Sequence, residues 1–212
     1  NNLQGILEGR NLVLVHIESM NHFLFENEFT SERLVFYKQI MSQSFVFNNF
    51  YNNVGMGVSS DAELSVLTGL YPTGDSTLYW EHDGYDINSL VKYFNQEGYY
   101  TEAIHGDKKT FYNRDFAYPE LIGFDNFYSI ENFVEDGYNI EEGFMYDTAN
   151  QLTHISPWPS DYLLADTVSN FGNSLAAMNQ SFMLFPITMM PHTPFEFDPN
   201  GIREDTYPNY TN

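Results

Sequence analysis

Residues Asn11-Leu12-Val13-Leu14-Val15-His16-Ile17 form a nearly continuous apolar run, rich in β-branched side chains, that gives way at once to Glu18-Ser19. Such a run is too continuous for a strand with one wet face. It has the pattern of a strand buried on both faces of a parallel sheet. A sheet of that kind needs helices to cover it, which fixes the class as α/β. Ligands of open α/β sheets sit beyond the carboxyl ends of the strands, so Glu18 is placed where chemistry is expected. His16, two residues earlier on the same face, reads as structural.

Two further segments repeat the pattern. Tyr99 to Ile104 reads as a strand that delivers His105 at its end, and Phe182 to Met190 as a buried strand ending at Pro191-His192-Thr193-Pro194-Phe195. Helical spacing marks Phe29 to Met41, Asp61 to Leu70, Asn88 to Glu97 (stopped by Gly98) and Asp161 to Met178. Ser59 or Ser60 is expected to cap the second of these, after the glycine loop Gly55-Met56-Gly57. The resulting β-helix-β order predicts a mostly parallel central sheet flanked by helices, with residues 1–212 the N-terminal part of one domain and the sheet incomplete. Ser44 to Tyr51 reads as a short aromatic strand, Tyr128 to Thr148 as an acidic, irregular surface excursion, and Asp198 to Asn212 as loop.

Charge narrows the partners. Against 29 carboxylates the chain carries eight Lys and Arg, a formal net charge of -21, which repels a polyphosphate and disfavours nucleic acid. Divalent cations are attracted instead. The absence of Cys excludes disulfides, thiolate nucleophiles and Cys-built metal sites. No run of about 18 apolar residues marks a membrane span. A start at Asn1-Asn2-Leu3 and a loop-like end at Tyr210-Thr211-Asn212 read as those of a piece excised from a longer protein.

Three of the scarce cations, Lys108, Lys109 and Arg114, fall in His105-Gly-Asp-Lys-Lys-Thr-Phe-Tyr-Asn-Arg114. A cluster of this kind suits an anion, and a guanidinium can grip a phosphate through two parallel hydrogen bonds. Set beside Glu18, the hydroxyl of Ser59 or Ser60 and His192, it makes a site for phosphoryl transfer. Glu18 offers hard oxygen to a divalent metal, which lowers the pKa of a coordinated serine hydroxyl. His105, Arg114 and His192 then orient and neutralise the anion. Lys108 and Lys109 read as peripheral steering charges.

Asn11 to Ser19, Gly55 to Glu63, His105 to Arg114 and His192-Thr193-Pro194-Phe195 together resemble the extracellular domain of the lipoteichoic acid synthases, in the sulfatase-like branch of the alkaline phosphatase superfamily. The His-Gly-five-residue-Tyr/Trp-Asn-Arg element is the most discriminating of these matches. The resemblance implies that Glu18 and Ser59 are metal ligands, with Ser59 in place of the family's catalytic threonine. It also implies that His105, Arg114 and His192 contact a glycerol phosphate group. The implied cofactor is a divalent ion, Mn2+ or Mg2+. The implied partners are phosphatidylglycerol and a glycolipid or lipoteichoic acid acceptor, at the outer face of a Gram-positive cell membrane reached through upstream transmembrane helices.

Two departures qualify it. Ser59 lacks the methyl of the family threonine, which leaves the register of Ser59 against Ser60 open. The family completes its metal site with an adjacent Asp-His pair, which this sequence lacks; Glu81-His82 imitates it at the wrong position. The expectation is that the pair lies beyond residue 212 and that the fragment alone is inactive. Ser59-Ser60-Asp61-Ala62-Glu63 also lacks the Cys/Ser-x-Pro-x-Arg pattern that sulfate ester hydrolysis needs. A phosphodiesterase, a phosphoethanolamine transferase and a non-catalytic cell-wall-binding homologue remain as alternative readings.

Overall fold

The computed structural model describes residues 5–26, 34–51, 53–81, 85–141, 144–147, 152–155 and 158–192. A four-stranded parallel sheet runs in the order β1 (Leu12–Val13), β7 (Phe182–Ile187), β2 (Tyr100–His105) and β3 (Asn126–Tyr128). Its helices are α1 (Phe23–Glu26), α2 (Val35–Ser42), α3 (Ser59–Thr68), α4 (Leu78–Glu81), α5 (Leu90–Gln96), α6 (Arg114–Phe116), α7 (Ile130–Glu135) and α8 (Asp161–Ala177). A separate antiparallel sheet joins β4 (Asn139–Glu141), β5 (Phe144–Asp147) and β6 (Leu152–Ile155).

The two inner strands behave as the apolar runs predict. Every residue of β7 is buried, as are Thr101 to His105 of β2, and Phe185 packs with Phe124, Val91 and Leu64 in the main core. Sequence-local signals set the flanking helices. The Ser89 hydroxyl accepts from Lys92 N–H at 3.0 Å to start α5, and the Ser160 hydroxyl accepts from Leu163 N–H at 3.2 Å to start α8.

The first run departs from expectation. Only Leu12 and Val13 form a ladder, although Leu14 N–H and His16 N–H still donate to Leu184 and Pro186 carbonyls at 2.9 Å. Val13 and Val15 are about half exposed. Among the described residues β1 is an edge strand, paired with β7 on one side only, and Val15 beyond it borders the open hollow it shares with Ala62, Ser65 and Val66.

Two other expectations are corrected. Ser44 to Tyr51 forms turns and no strand; with no neighbouring strand to pair with, Phe45, Phe47 and Phe50 stand exposed. Tyr128 to Thr148 is ordered in its described part: Ser129 and Asn132 make a reciprocal capping box that starts α7, followed by the β4–β5 hairpin. Of Phe29 to Met41, the described part is helical from Val35. Residues 193–212, with Thr193 to Phe195 and the tail, and His82 lie outside the described residues.

Candidate active site

Helix α3 begins two residues before the predicted start, and neither serine caps it. Val58 occupies the cap position at φ 43°, and Ser59 is the first helical residue. The backbone is held instead by Asp61, whose Oδ2 accepts from Gly55 N–H at 2.8 Å and from Gly57 N–H at 3.0 Å. A β-carbon on Gly57 would lie 2.4 Å from Asp61 Oδ1, so glycine there is a packing requirement. The Ser60 hydroxyl turns inward and donates to the Gly57 carbonyl at 2.8 Å. Ser59 points the other way and donates to Glu18 Oε2 at 3.0 Å. Of the two serines it is Ser59, not Ser60, that faces the carboxylate.

Glu18 reaches this position because the strand carrying it ends beside β7, where its N–H donates to Thr188 Oγ1 at 2.9 Å. His105 closes β2 one strand further on. Gly106 must follow it without a side chain, since a β-carbon would meet Pro159 at 2.6 Å. His192 lies past the end of β7, its ring 5.0 Å from that of Trp158. Asp161, at the start of α8, holds the intervening turn by accepting from Met189 N–H at 2.7 Å and Met190 N–H at 3.2 Å.

Glu18, Ser59, His105, Arg114 and His192 all line one hollow of about 290 Å³, together with Asp107, Phe111 and Tyr112. Lys108 and Lys109 are exposed outside it. A larger hollow of about 560 Å³ runs along Leu14, His16, Tyr51 and Val66. It is mostly apolar and contains none of the five residues, so the chemistry belongs to the smaller one. His16 lines the larger hollow and packs on Phe185, in keeping with its structural reading.

Backbone strain gathers at the same place. Five described non-glycine residues have positive φ, and three of them, Ser19 (53°), Val58 (43°) and Tyr112 (54°), line the smaller hollow. For a β-branched residue such as Val58 this conformation is costly, and strain of this kind concentrates at functional sites.

Arg114 is nearly fully buried, and its grip differs from the one expected. Its Nε donates to Glu63 Oε2 at 3.1 Å and its Nη2 donates to Glu63 Oε1, a bidentate pair. Tyr118 adds a third hydrogen bond to Glu63 Oε2 at 2.8 Å. The two-bond fork that the sequence assigns to a phosphate is therefore made, within the protein, with a carboxylate. Burial opposes the guanidinium charge, but the Glu63 carboxylate outweighs it and holds Arg114 above its ordinary range. Glu63, Asp161 and Thr188 were not legible as site residues; for Glu63 the available signal was a carboxylate four positions after Ser59 on a helix face that also carries Leu64 and Leu67.

Burial, with the Arg114 charge second, pushes His105 well below its ordinary value of 6.5, so its imidazole is neutral at neutral pH. Its Nδ1 is buried with no hydrogen-bond partner among the described residues, and the residue lines the hollow. The sign of the stability effect follows. Below pH 6.5 the unfolded chain takes up a proton that the folded His105 refuses, so stability is full above that pH and falls below it. The expected slope is about 1 kcal/mol per pH unit, and His105→Asn should remove it. Urea unfolding of both proteins at pH 7 and pH 5 checks this; equal slopes would contradict it.

Glu18 and Ser59 bring two hard oxygen donors together at 3.0 Å, which suits Mg2+ or Mn2+. Among the described residues no group of three or more His, Asp or Glu completes a metal site. The residues present therefore fit part of such a site. Among the described residues no helix is long and apolar enough to cross a membrane.

The sulfatase family model matches residues 10–210. Lipoteichoic acid synthase-like YvgJ of Bacillus subtilis is 26% identical over 198 residues, covering 92% of this chain and 29% of that protein. The lipoteichoic acid synthase of Staphylococcus aureus is 26% identical over 205 residues, covering 92% of this chain and 28% of its own length. Among solved structures, the lipoteichoic acid synthase LtaP from Listeria monocytogenes superposes with a TM-score of 0.78 at 26% identity, over 95% of this chain and 45% of that one. An alkaline phosphatase superfamily protein from Vibrio parahaemolyticus, at 18% identity and a TM-score of 0.71 over 93% of this chain and 44% of its own, shares the fold. The chain thus spans less than a third of the curated relatives it matches.

Proposed function

This chain belongs to the sulfatase family, and on that premise we propose that it is the nucleophile-bearing part of a phosphoglycerol transferase. The observation that carries the reading is the Ser59 hydroxyl, at the first residue of α3 and 3.0 Å from Glu18 Oε2, facing a hollow shared with His105, Arg114 and His192. Two relatives named as lipoteichoic acid synthases support the choice of transfer over sulfate ester hydrolysis.

In the first step Ser59 Oγ attacks the phosphorus of phosphatidylglycerol. The bond from phosphorus to the diacylglycerol oxygen breaks, and that oxygen leaves with a proton. In the second step a hydroxyl of a glycolipid or of a growing lipoteichoic acid chain attacks the same phosphorus, the Ser59 bond breaks, and serine recovers its proton. Glu18 orients the hydroxyl before attack through the hydrogen bond it accepts. Helix α3 presents its partly positive end at Ser59, where phosphoryl oxygens gather. Arg114 supplies fixed positive charge, His105 supplies a neutral imidazole, and His192 supplies a second ring to the hollow. A divalent ion held by Glu18 and Ser59, with further ligands outside the described residues, would lower the pKa of the serine hydroxyl. At about 290 Å³ the hollow suits a head group rather than two acyl chains. The proposed reaction belongs at the outer face of a Gram-positive cell membrane, a reading supported by the similar proteins of Bacillus subtilis and Staphylococcus aureus.

Head-group specificity tests the substrate. With vesicles of phosphatidylglycerol, the full-length protein should release diacylglycerol and extend a glycolipid with glycerol phosphate. With phosphatidylethanolamine it should release at least about tenfold less. Preference for phosphatidylethanolamine would replace the reading with a phosphoethanolamine transferase, and free glycerol phosphate as the main product would replace it with a phosphodiesterase.

A further inference from the structure

We propose that Glu63 is a positioning residue for the anion site: it clamps one edge of Arg114 so that the other edge faces the hollow, and through α3 it ties that placement to Ser59. The inference rests on the transferase reading only for the identity of the anion.

A guanidinium has five N–H groups in a fixed plane. In Arg114, Nε and Nη2 each give one to Glu63, and Nη1 gives one to the Phe111 carbonyl at 3.4 Å. Two remain, one on each terminal nitrogen. Arg114 lines the hollow with Phe111 and Tyr112, and its guanidinium carbon lies 5.2 Å from the centre of the Tyr112 ring. A clamped side edge and a ring against the plane leave the guanidinium little freedom to swing.

Energetics favour this role over a purely structural one. Apolar side chains of similar volume commonly replace a buried ion pair without loss of stability, so stability alone does not explain why Arg114 and Glu63 are buried together. The pair also sits one helical turn from the nucleophile, since Glu63 follows Ser59 by four residues on α3. Any shift of α3 therefore moves the nucleophile and the anion's cationic partner together. Glu63 itself does not line the hollow and touches no substrate; it acts through Arg114.

The test is a double-mutant cycle in the full-length protein, read as the Kd of glycerol phosphate and the KM of phosphatidylglycerol. Glu63→Gln should raise both by roughly 10- to 100-fold, the cost of a misplaced binding group, with kcat changed less. In an Arg114→Met background the same substitution should add nothing further. Should Glu63→Gln fail to fold, Glu63→Asp keeps the charge but shortens the clamp and should raise Kd in the same direction. An unchanged Kd in a folded Glu63 variant, or losses that multiply across the cycle, would overturn the proposal. If the wild type binds glycerol phosphate but transfers none, the transferase reading fails while the Kd comparison still decides the role of Glu63. No binding by the wild type overturns both.

Discussion

Ser59→Ala in the full-length protein is expected to lower transfer by roughly 10⁴- to 10⁶-fold, the scale on which loss of a covalent nucleophile is felt. The geometry makes this substitution unusually clean. The Ser59 hydroxyl donates to Glu18 and to no other described group, and the residue sits at the first position of α3, where its backbone takes no strain. Folding stability should therefore change by only about 1 kcal/mol. Ser60→Ala should give the opposite profile. Its hydroxyl is buried against the Gly57 carbonyl and holds the glycine loop, so stability should fall measurably while Ser59 remains able to react. Thermal unfolding alongside turnover separates the two. Full activity in folded Ser59→Ala would sink the assignment of the nucleophile.

Arg114→Ala should cause the largest loss of stability of any single change at the site. It leaves the Glu63 carboxylate fully buried with only the Tyr118 hydroxyl to compensate it. Removing one partner of a buried ion pair costs about 3–5 kcal/mol, a large part of the 5–15 kcal/mol that holds a typical domain together. Arg114→Lys keeps a charge but replaces the planar fork with a point donor, so it should recover part of the stability and little of the anion affinity. Denaturant titration of the three proteins reads the first effect directly. A loss under about 1 kcal/mol for Arg114→Ala would show that Glu63 relaxes to solvent or takes another partner.

What the sequence reveals follows the range of the interactions. The apolar runs ending at Glu18, His105 and His192 are local signals, and strand ends in a parallel sheet converge on one side, so their meeting at one hollow was legible. The stop of α5 at Gly98 was legible for the same reason. The partner of Arg114 was not. Glu63 and Arg114 stand 51 residues apart, and nothing in either neighbourhood says that the guanidinium turns first to a carboxylate. The start of α3 was missed because a strained valine, not a serine, occupies its cap, held there by the Asp61 hydrogen bonds to Gly55 and Gly57. Ser44 to Tyr51 misled because alternating aromatic residues mark a strand only where a neighbouring strand is available. The exposure of Val13 and Val15 goes with the place of β1 at the sheet edge, which depends on strand order rather than on local pattern.

Peptide mapping by mass spectrometry of the full-length protein, quenched with acid during turnover of phosphatidylglycerol, tests the central claim most directly. The account predicts a glycerol phosphate adduct on the peptide spanning Gly55 to Leu70, with fragmentation placing it on Ser59 and not on Ser60, and its disappearance in Ser59→Ala. An adduct on another residue, or steady turnover with unmodified Ser59 throughout, would contradict it.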